Sequence, residues 1–126
     1  MKAIFLIFIG GGVGSVLRYI ASSLLRNSYS PGYFPWGTFV VNIVGCFLIG
    51  CFSSLVLKNT INAEMKQLLI IGLCGGFTTF STFSNESLVL LKDGNYLLSF
   101  SYIIGSVVLG LIAVILGVTL VNQINS

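Results

Sequence analysis

The sequence contains no histidine and only three acidic residues. The absence of histidine excludes His-based catalysis and His-ligated zinc. The acids Glu64, Glu86 and Asp93 show no paired-carboxylate signature, and no nucleophile–base pair is evident. Charged residues make up 7% of the chain, whereas soluble domains contain roughly a quarter. A soluble fold this apolar is unable to cover its own surface, and an enzyme is not expected.

Basic residues and cysteines are also few. The six basic residues are scattered along the chain, so the net charge of +3 does not indicate nucleic-acid binding. Cys46, Cys51 and Cys74 all lie inside apolar stretches, where free thiols behave as small hydrophobic groups. Neither a disulfide nor a cysteine metal site is therefore expected.

Four long apolar stretches leave no room for a separate soluble domain, so residues 1–126 are interpreted as one domain. A helix needs about 20 apolar residues to cross the hydrocarbon core. Helices are favoured because every backbone polar group must be satisfied inside the bilayer. We predict an all-α integral membrane protein with helices from Ala3 to Leu25, Trp36 to Leu57, Gln67 to Leu91 and Tyr96 to Val121.

The N-terminal stretch also begins in the way a secretory signal peptide does, with Lys2 followed by an apolar run. That run, however, extends to about Leu25, is rich in glycine and contains Arg18, and it shows no small-residue cleavage site. We therefore expect it to be retained as the first membrane helix.

Basic residues near the helix ends normally decide orientation in the membrane. The predicted connections run from Arg26 to Pro35, from Lys58 to Lys66 and from Lys92 to Asn95. One side would collect Lys2, Lys58 and Lys66, and the other Arg26 and Lys92, with Arg18 added if it lies near a helix end. This near balance is typical of insertion in both orientations, although a fixed topology set by a small bias is equally compatible with it.

Four helices of this length enclose little space on their own, so a homodimer is expected. Small residues that permit close helix packing are present in the first two helices: Gly10, Gly11, Gly12, Gly14 and Gly45. Packing within one chain is the alternative use of each of these glycines.

The third apolar stretch contains the sequence GGFTTFSTFS at residues 75–84. Paired glycines and clustered hydroxyl residues weaken helical hydrogen bonding, so we predict a break in the helix near Gly75 to Thr79. Breaks at membrane depth are tolerated where protein or a polar cavity covers them. In transporters such breaks coordinate ions through the freed carbonyls.

Two phenylalanines follow the predicted break. Phe80 and Phe83 are three residues apart, so they share one face if the helix resumes there. The edge of an aromatic ring carries partial positive charge, and two rings turned edge-on would line a path for a small anion. Ordinary packing against lipid or another helix is the alternative for such a pair.

Three stretches carry a resemblance to a known family. Residues 72–86, GLCGGFTTFSTFSNE, closely resemble the hallmark of the Fluc (CrcB) family of bacterial fluoride channels. Residues 11–19, GGVGSVLRY, are similar to the family's first helix, and residues 35–45, PWGTFVVNIVG, to the start of its second. The resemblance implies a fluoride-selective channel in the bacterial inner membrane that exports cytoplasmic fluoride passively. It also implies an antiparallel, dual-topology homodimer with two pores.

The resemblance further implies roles for individual residues. Phe80 and Phe83 match the phenylalanines whose ring edges face fluoride, and Asn42 matches a hydrogen-bond donor of the pore. On the fourth helix a polar stripe recurs every four residues, and Gly110 continues it without a hydroxyl. The pore is therefore expected to be lined by Asn42, Phe80, Ser81, Thr82, Phe83, Tyr102 and Ser106.

The family also holds a structural sodium ion at the centre of its dimer. Gly75 and Thr78 match the positions at the helix break whose backbone carbonyls bind that ion. Two carbonyls from each subunit would give a tetrahedral oxygen cage on the twofold axis.

Two charged residues have more than one interpretation each. Arg18 lies inside the first helix, where it either attracts anions near an aqueous vestibule, as the resemblance implies, or extends to the membrane interface. Glu86 shares a face with Phe83 and Thr82 at helical spacing. It forms an ion pair or a hydrogen bond, or influences the pore through its protonation, or else it is simply exposed at the interface.

Two other membrane functions were considered. Small proton-coupled multidrug exporters also have four helices, but they need a carboxylate in the first helix, where this chain has Arg18 instead. A structural subunit without transport activity would not need hydrogen-bond donors along the third helix.

Overall fold

The computed structural model describes residues 1–25 and 33–125. Four helical segments are long and apolar enough to cross a membrane: Lys2–Leu24, Trp36–Leu57, Ala63–Lys92 and Tyr96–Ile124. The predicted all-α architecture with four membrane-spanning segments is therefore confirmed. Most of the predicted connection from Arg26 to Pro35 lies outside the described residues.

Three of the spans are continuous helices, which we label α1 (Lys2–Leu24), α2 (Trp36–Leu57) and α6 (Tyr96–Ile124). The third span is divided, and its parts are α3 (Ala63–Lys66), a π-helical segment (Gln67–Cys74), α4 (Gly75–Phe77) and α5 (Phe80–Lys92). π-helical turns are rare and occur frequently at functional sites.

The third helix is broken, as predicted, and the break consists of Thr78 and Thr79. Both residues have extended backbone dihedrals, with ψ angles of 158° and 120°. The paired glycines just before them remain helical. A Cβ atom at Gly76 would overlap the carbonyl oxygen of Gly11, so this glycine serves close packing rather than the break itself.

Two helix boundaries differ from the sequence prediction by more than one residue. The third span begins at Ala63 rather than Gln67, because the side chain of Asn62 caps it by accepting a hydrogen bond from the Met65 amide at 2.9 Å. The fourth span continues past Val121 to Ile124. The additional helical residues, 63–66 and 122–124, are polar or amphipathic, so hydropathy alone places them outside the spans.

Residues in the left-handed region end α2 and α5. Asn59 has a φ of 57° and follows α2, while Gly94 has a φ of 82° and follows α5. In each case the next amide bonds back to a carbonyl five residues earlier, as in a Schellman motif. The Asp93-Gly94 sequence therefore forms a tight turn within the predicted connection from Lys92 to Asn95.

The spans associate in two close pairs. In the first, α2 packs on α6, where a Cβ atom at Gly50 would overlap the carbonyl oxygen of Val114 and one at Gly117 that of Phe47. In the second, α1 packs on the first half of the third span, with Gly10 and Gly14 buried. Lipid tails are as apolar as the helices, so this close backbone approach, rather than the hydrophobic effect, drives the association.

Gly12 and Gly14 allow a test of this packing. A Cβ atom at Gly14 would overlap the carbonyl oxygen of Leu73, whereas one at Gly12 meets nothing within 4 Å. We expect Gly14→Ala to destabilise the protein by about 1–3 kcal/mol through overpacking. Gly12→Ala should be neutral or slightly stabilising. Thermal unfolding in detergent measures both variants, and equal melting temperatures would contradict the packing assigned to Gly14.

Candidate functional site

Asn42 of α2 holds the break in the third span through two hydrogen bonds to one residue. Its Oδ1 accepts from the amide of Thr79 at 2.9 Å, and its Nδ2 donates to the carbonyl of Thr79 at 3.1 Å. The side chain thus bonds to both backbone groups of this extended residue. One N–H of the Asn42 amide remains for another acceptor.

The side chain of Thr79 starts the next helix. Its Oγ1 accepts a hydrogen bond from the amide of Thr82 at 3.3 Å and donates one to the hydroxyl of Thr82 at 3.1 Å. Thr79 is therefore the N-cap of α5, a position that threonine favours.

These two arrangements together release two carbonyl groups. In a continuous helix the amides of Thr79 and Thr82 would donate to the carbonyls of Gly75 and Thr78. Here they donate instead to Asn42 and to the Thr79 side chain. The two released carbonyls belong to the same two residues that the sequence resemblance associates with a sodium ion.

An open cavity of about 330 Å³ lies beside the break. Four of the expected pore residues line it: Asn42, Phe80, Phe83 and Ser106. Gly75 and Thr78 line it as well. The structure therefore brings together residues from α2, α4, α5 and α6, along with the break, that are far apart in the sequence.

Three expected pore residues lie outside the lining of this cavity: Ser81, Thr82 and Tyr102. Ser81 and Thr82 are exposed on the surface of α5, and the hydroxyl of Thr82 bonds to that of Thr79. Phe80 is also 80% exposed although it lines the cavity. The start of α5 therefore presents side chains on a surface that a single chain does not cover.

Phe80 and Phe83 share one face of α5, as predicted. Their ring centroids are 5.9 Å apart, with the planes inclined at 49°. Phe83 also meets the ring of Tyr102 at 5.0 Å in a T-shaped arrangement. Tyr102 therefore lies behind Phe83 and supports it.

Tyr102 links this aromatic pair to Glu86. Its side chain is fully buried, and its hydroxyl donates a hydrogen bond to the Glu86 carboxylate at 3.2 Å. The side chain of Thr38 also interacts with Glu86. Glu86 is thus part of a polar network rather than simply exposed at the interface. Sequence reasoning missed Thr38, although it lies one turn before Asn42 on the same helix.

The polar stripe on α6 continues from Tyr102 to Ser106 and Gly110. The hydroxyl of Ser106 is buried and has no hydrogen-bond partner among the described residues. Gly110 is buried where a Cβ atom would lie 3.4 Å from the sulfur of Cys46.

Arg18 makes a hydrogen bond that neither interpretation from the sequence included. Its Nε donates a hydrogen bond to the carbonyl of Gly76 at 3.1 Å, at the end of α4. The side chain is half-buried and outside the lining of the cavity.

Two serines that sequence reasoning did not single out connect α5 to α6. Ser99 is fully buried and donates to the carbonyl of Ser87 at 2.9 Å, and Ser87 donates to the carbonyl of Phe83 at 2.8 Å. The signal for them is weak, because a serine in an apolar helix is common. Their effect is to fix the register of Phe83 against α6.

The chemistry of the cavity is neutral throughout. Its lining provides an amide, hydroxyl groups, ring edges and backbone carbonyls, and no ionised side chain contributes to it. Among the described residues, no cluster of three or more His, Cys, Asp or Glu side chains provides a metal site. The donors suit a small anion, whereas the released carbonyls suit a cation.

Comparison with known proteins gives consistent matches. The family model described as CrcB-like protein, Camphor Resistance (CrcB), matches residues 5–118. A protein of Phocaeicola vulgatus named "Fluoride-specific ion channel FluC" is 60% identical over 119 residues, which cover 94% of this chain and 97% of that protein. Proteins of the same name from Flavobacterium psychrophilum and Gloeothece citriformis are 49% and 47% identical, and each match covers 98% of this chain and at least 99% of the relative. On the strength of these matches over nearly its full length, the chain belongs to the CrcB family.

Proposed function

We propose that this protein is a fluoride-selective ion channel. The observation that carries the proposal is the neutral cavity beside the broken helix, where Phe80, Phe83, Asn42 and Ser106 meet. The name of the relatives, fluoride-specific ion channel, supports it independently and describes a channel rather than an enzyme.

Neutral donors are suited to conducting a strongly hydrated anion. A bare fluoride ion in the bilayer faces a Born penalty of order 20 kcal/mol or more. The free N–H of Asn42, the unpartnered hydroxyl of Ser106 and the positive edges of the two phenyl rings all lower that penalty. A fixed positive charge would trap the ion, whereas such groups allow it to leave. Ser81 and Thr82 extend the donors along α5, and Tyr102 and Glu86 continue the polar path behind Phe83.

The functional unit is an antiparallel homodimer with two pores. Polar side chains and backbone at membrane depth must be covered by protein or face a water-filled cavity. In the single chain Gly75, Ser81, Thr82 and Asn85 are exposed, and the cavity is open. A second copy covers this surface and closes the cavity into a pore. The weak charge bias supports opposite orientations, because the sequence sets Lys2, Lys58 and Lys66 on one side against Arg26 and Lys92 on the other.

A structural sodium ion is bound at the dimer interface. The carbonyls of Gly75 and Thr78 suit a hard cation, because neutral oxygens are its preferred ligands and the amides of Thr79 and Thr82 bond elsewhere. A single chain provides only two such carbonyls, so the ion requires a second copy. It supplies positive charge that holds two broken helices together.

The physiological role is passive export of fluoride across the bacterial inner membrane. Hydrogen fluoride enters as the neutral acid, ionises in the more alkaline cytoplasm and leaves as fluoride down its electrical gradient. No energy source other than the membrane potential is needed.

Anion efflux from liposomes tests this proposal. Purified protein is reconstituted with potassium fluoride or potassium chloride inside, and valinomycin is added while fluoride and chloride electrodes record release. Fluoride should leave within seconds, whereas chloride should remain inside until detergent is added. Empty liposomes serve as the control. Equal release of both anions would contradict selectivity, and no release from a folded, reconstituted protein would contradict the channel.

A further inference from the structure

Arg18 continues the stripe of α1 that packs against the third span. Gly10, Gly14 and Arg18 are each four residues apart, so they lie on one face of the helix. The two glycines are buried against the π-helical segment, where Gly14 approaches the carbonyl of Leu73. One turn further on, the Nε of Arg18 donates to the carbonyl of Gly76 at 3.1 Å, 58 residues away in the sequence.

The carbonyl that Arg18 contacts needs a donor. The last carbonyls of a helix have no intrahelical partner and carry partial negative charge. In a continuous helix the carbonyl of Gly76 would receive the amide of Phe80, but Phe80 is the first residue of α5 beyond the break. Water is scarce at this depth, so an unsatisfied carbonyl there is costly. Arg18 provides the donor from a neighbouring helix.

The neighbouring carbonyls make this contact significant. Gly76 lies between Gly75 and Thr78, whose carbonyls are released from helical bonding and whose residues line the cavity. Asn42 holds the break from the α2 side through Thr79, and Arg18 holds it from the α1 side through Gly76. The end of α4 is thus fixed from two directions.

We infer that Arg18 is a positioning residue that caps α4 and holds the carbonyls of Gly75 and Thr78 in place for cation binding at the dimer interface. The link to sodium rests on the proposed function, whereas the capping of α4 does not. The inference differs from attraction of anions at a vestibule, because it assigns the guanidinium to a backbone carbonyl.

The experiment compares Arg18→Met, which removes the donor at similar length, with Arg18→Lys, which retains one. Tyr19→Phe is the control, since Tyr19 is the adjacent residue and is 71% exposed. Two quantities are measured: the sodium concentration for half-maximal fluoride efflux, and hydrogen–deuterium exchange of backbone amides in residues 74–82. We expect Arg18→Met to raise the sodium concentration for half-maximal efflux by about tenfold or more, as for loss of a charged hydrogen bond. Amide exchange in residues 74–82 should accelerate by a similar factor. Arg18→Lys should stay within about threefold of the parent, because an ammonium group also donates.

The possible outcomes separate the alternatives. If amide exchange is unchanged in Arg18→Met, Arg18 does not cap α4. If exchange is faster but the sodium requirement is unchanged, Arg18 does not position the carbonyls for cation binding. A loss of efflux that disappears at high ionic strength, with normal exchange, identifies anion attraction instead. If efflux of the parent protein does not depend on sodium, the sodium part of the proposed function fails, and exchange alone then decides whether Arg18 caps α4.

Discussion

Replacing Phe80 by isoleucine is expected to reduce fluoride efflux by about tenfold or more. The ring of Phe80 lines the cavity and is 5.9 Å from that of Phe83. We expect its edge to meet the anion. Isoleucine is similarly apolar but has no positive ring edge. The comparable attraction of a desolvated cation to a ring face is worth about 2 kcal/mol, and losing that amount in the rate-limiting step slows conduction by more than a decade.

Phe8→Ile is the matched control for this change. Phe8 is 77% exposed, close to the 80% of Phe80, so both substitutions remove similar buried area from the single chain. Phe8 lies on α1 and does not line the cavity. Liposome efflux should therefore fall for Phe80→Ile alone. If the two variants conduct equally and both remain folded, the ring of Phe80 has a packing role only.

Replacing Asn42 by aspartate is expected to have the largest effect of any single substitution in the cavity. The Asn42 Oδ1 accepts from the Thr79 amide, and an aspartate retains that bond. The Asn42 Nδ2, however, donates to the Thr79 carbonyl oxygen at 3.1 Å. A carboxylate oxygen in the place of this nitrogen repels the carbonyl oxygen. An uncompensated buried charge costs roughly 3–5 kcal/mol, and the same charge repels an approaching anion. Fluoride efflux should fall at least about a hundredfold.

Two further variants separate the effect of charge at Asn42 from the loss of its hydrogen bonds to Thr79. Asn42→Ala removes both bonds to Thr79 without adding charge. Lower efflux in Asn42→Asp than in Asn42→Ala is then due to the charge, because aspartate still accepts from the Thr79 amide. Asn122→Asp is the control, because Asn122 only accepts a hydrogen bond from Ser54, at 3.0 Å, and an aspartate can do the same. We expect normal efflux for Asn122→Asp. Efflux like that of the parent from a folded Asn42→Asp protein would refute the role given to Asn42.

Local sequence patterns were sufficient to predict the membrane spans and the interrupted third helix. Four apolar stretches predict four spans because burying charge and bare backbone in lipid is costly. The run from Gly75 to Ser84 predicts the break because glycine and hydroxyl residues weaken helical bonding locally. The three-residue spacing of Phe80 and Phe83 places them on one face because residues three apart are neighbours on the surface of a helix.

The position and support of the break, by contrast, were decided by contacts between distant residues. The break lies within the predicted range from Gly75 to Thr79, but it consists of Thr78 and Thr79. The glycines remain helical, and Gly76 packs on Gly11. Asn42 and Thr79 are 37 residues apart, so no local pattern connects them.

Short-range periodicity, hydropathy and capping therefore determined how many times this chain crosses the membrane and where its third helix weakens. Only the tertiary structure decided which side chains satisfy the backbone at that weak point. Arg18 and Gly76, like Thr38 and Glu86, meet only after whole helices have packed. The physical reason is that hydrogen bonds released at membrane depth must find partners within the protein, and those partners come from whichever helix lies beside the break.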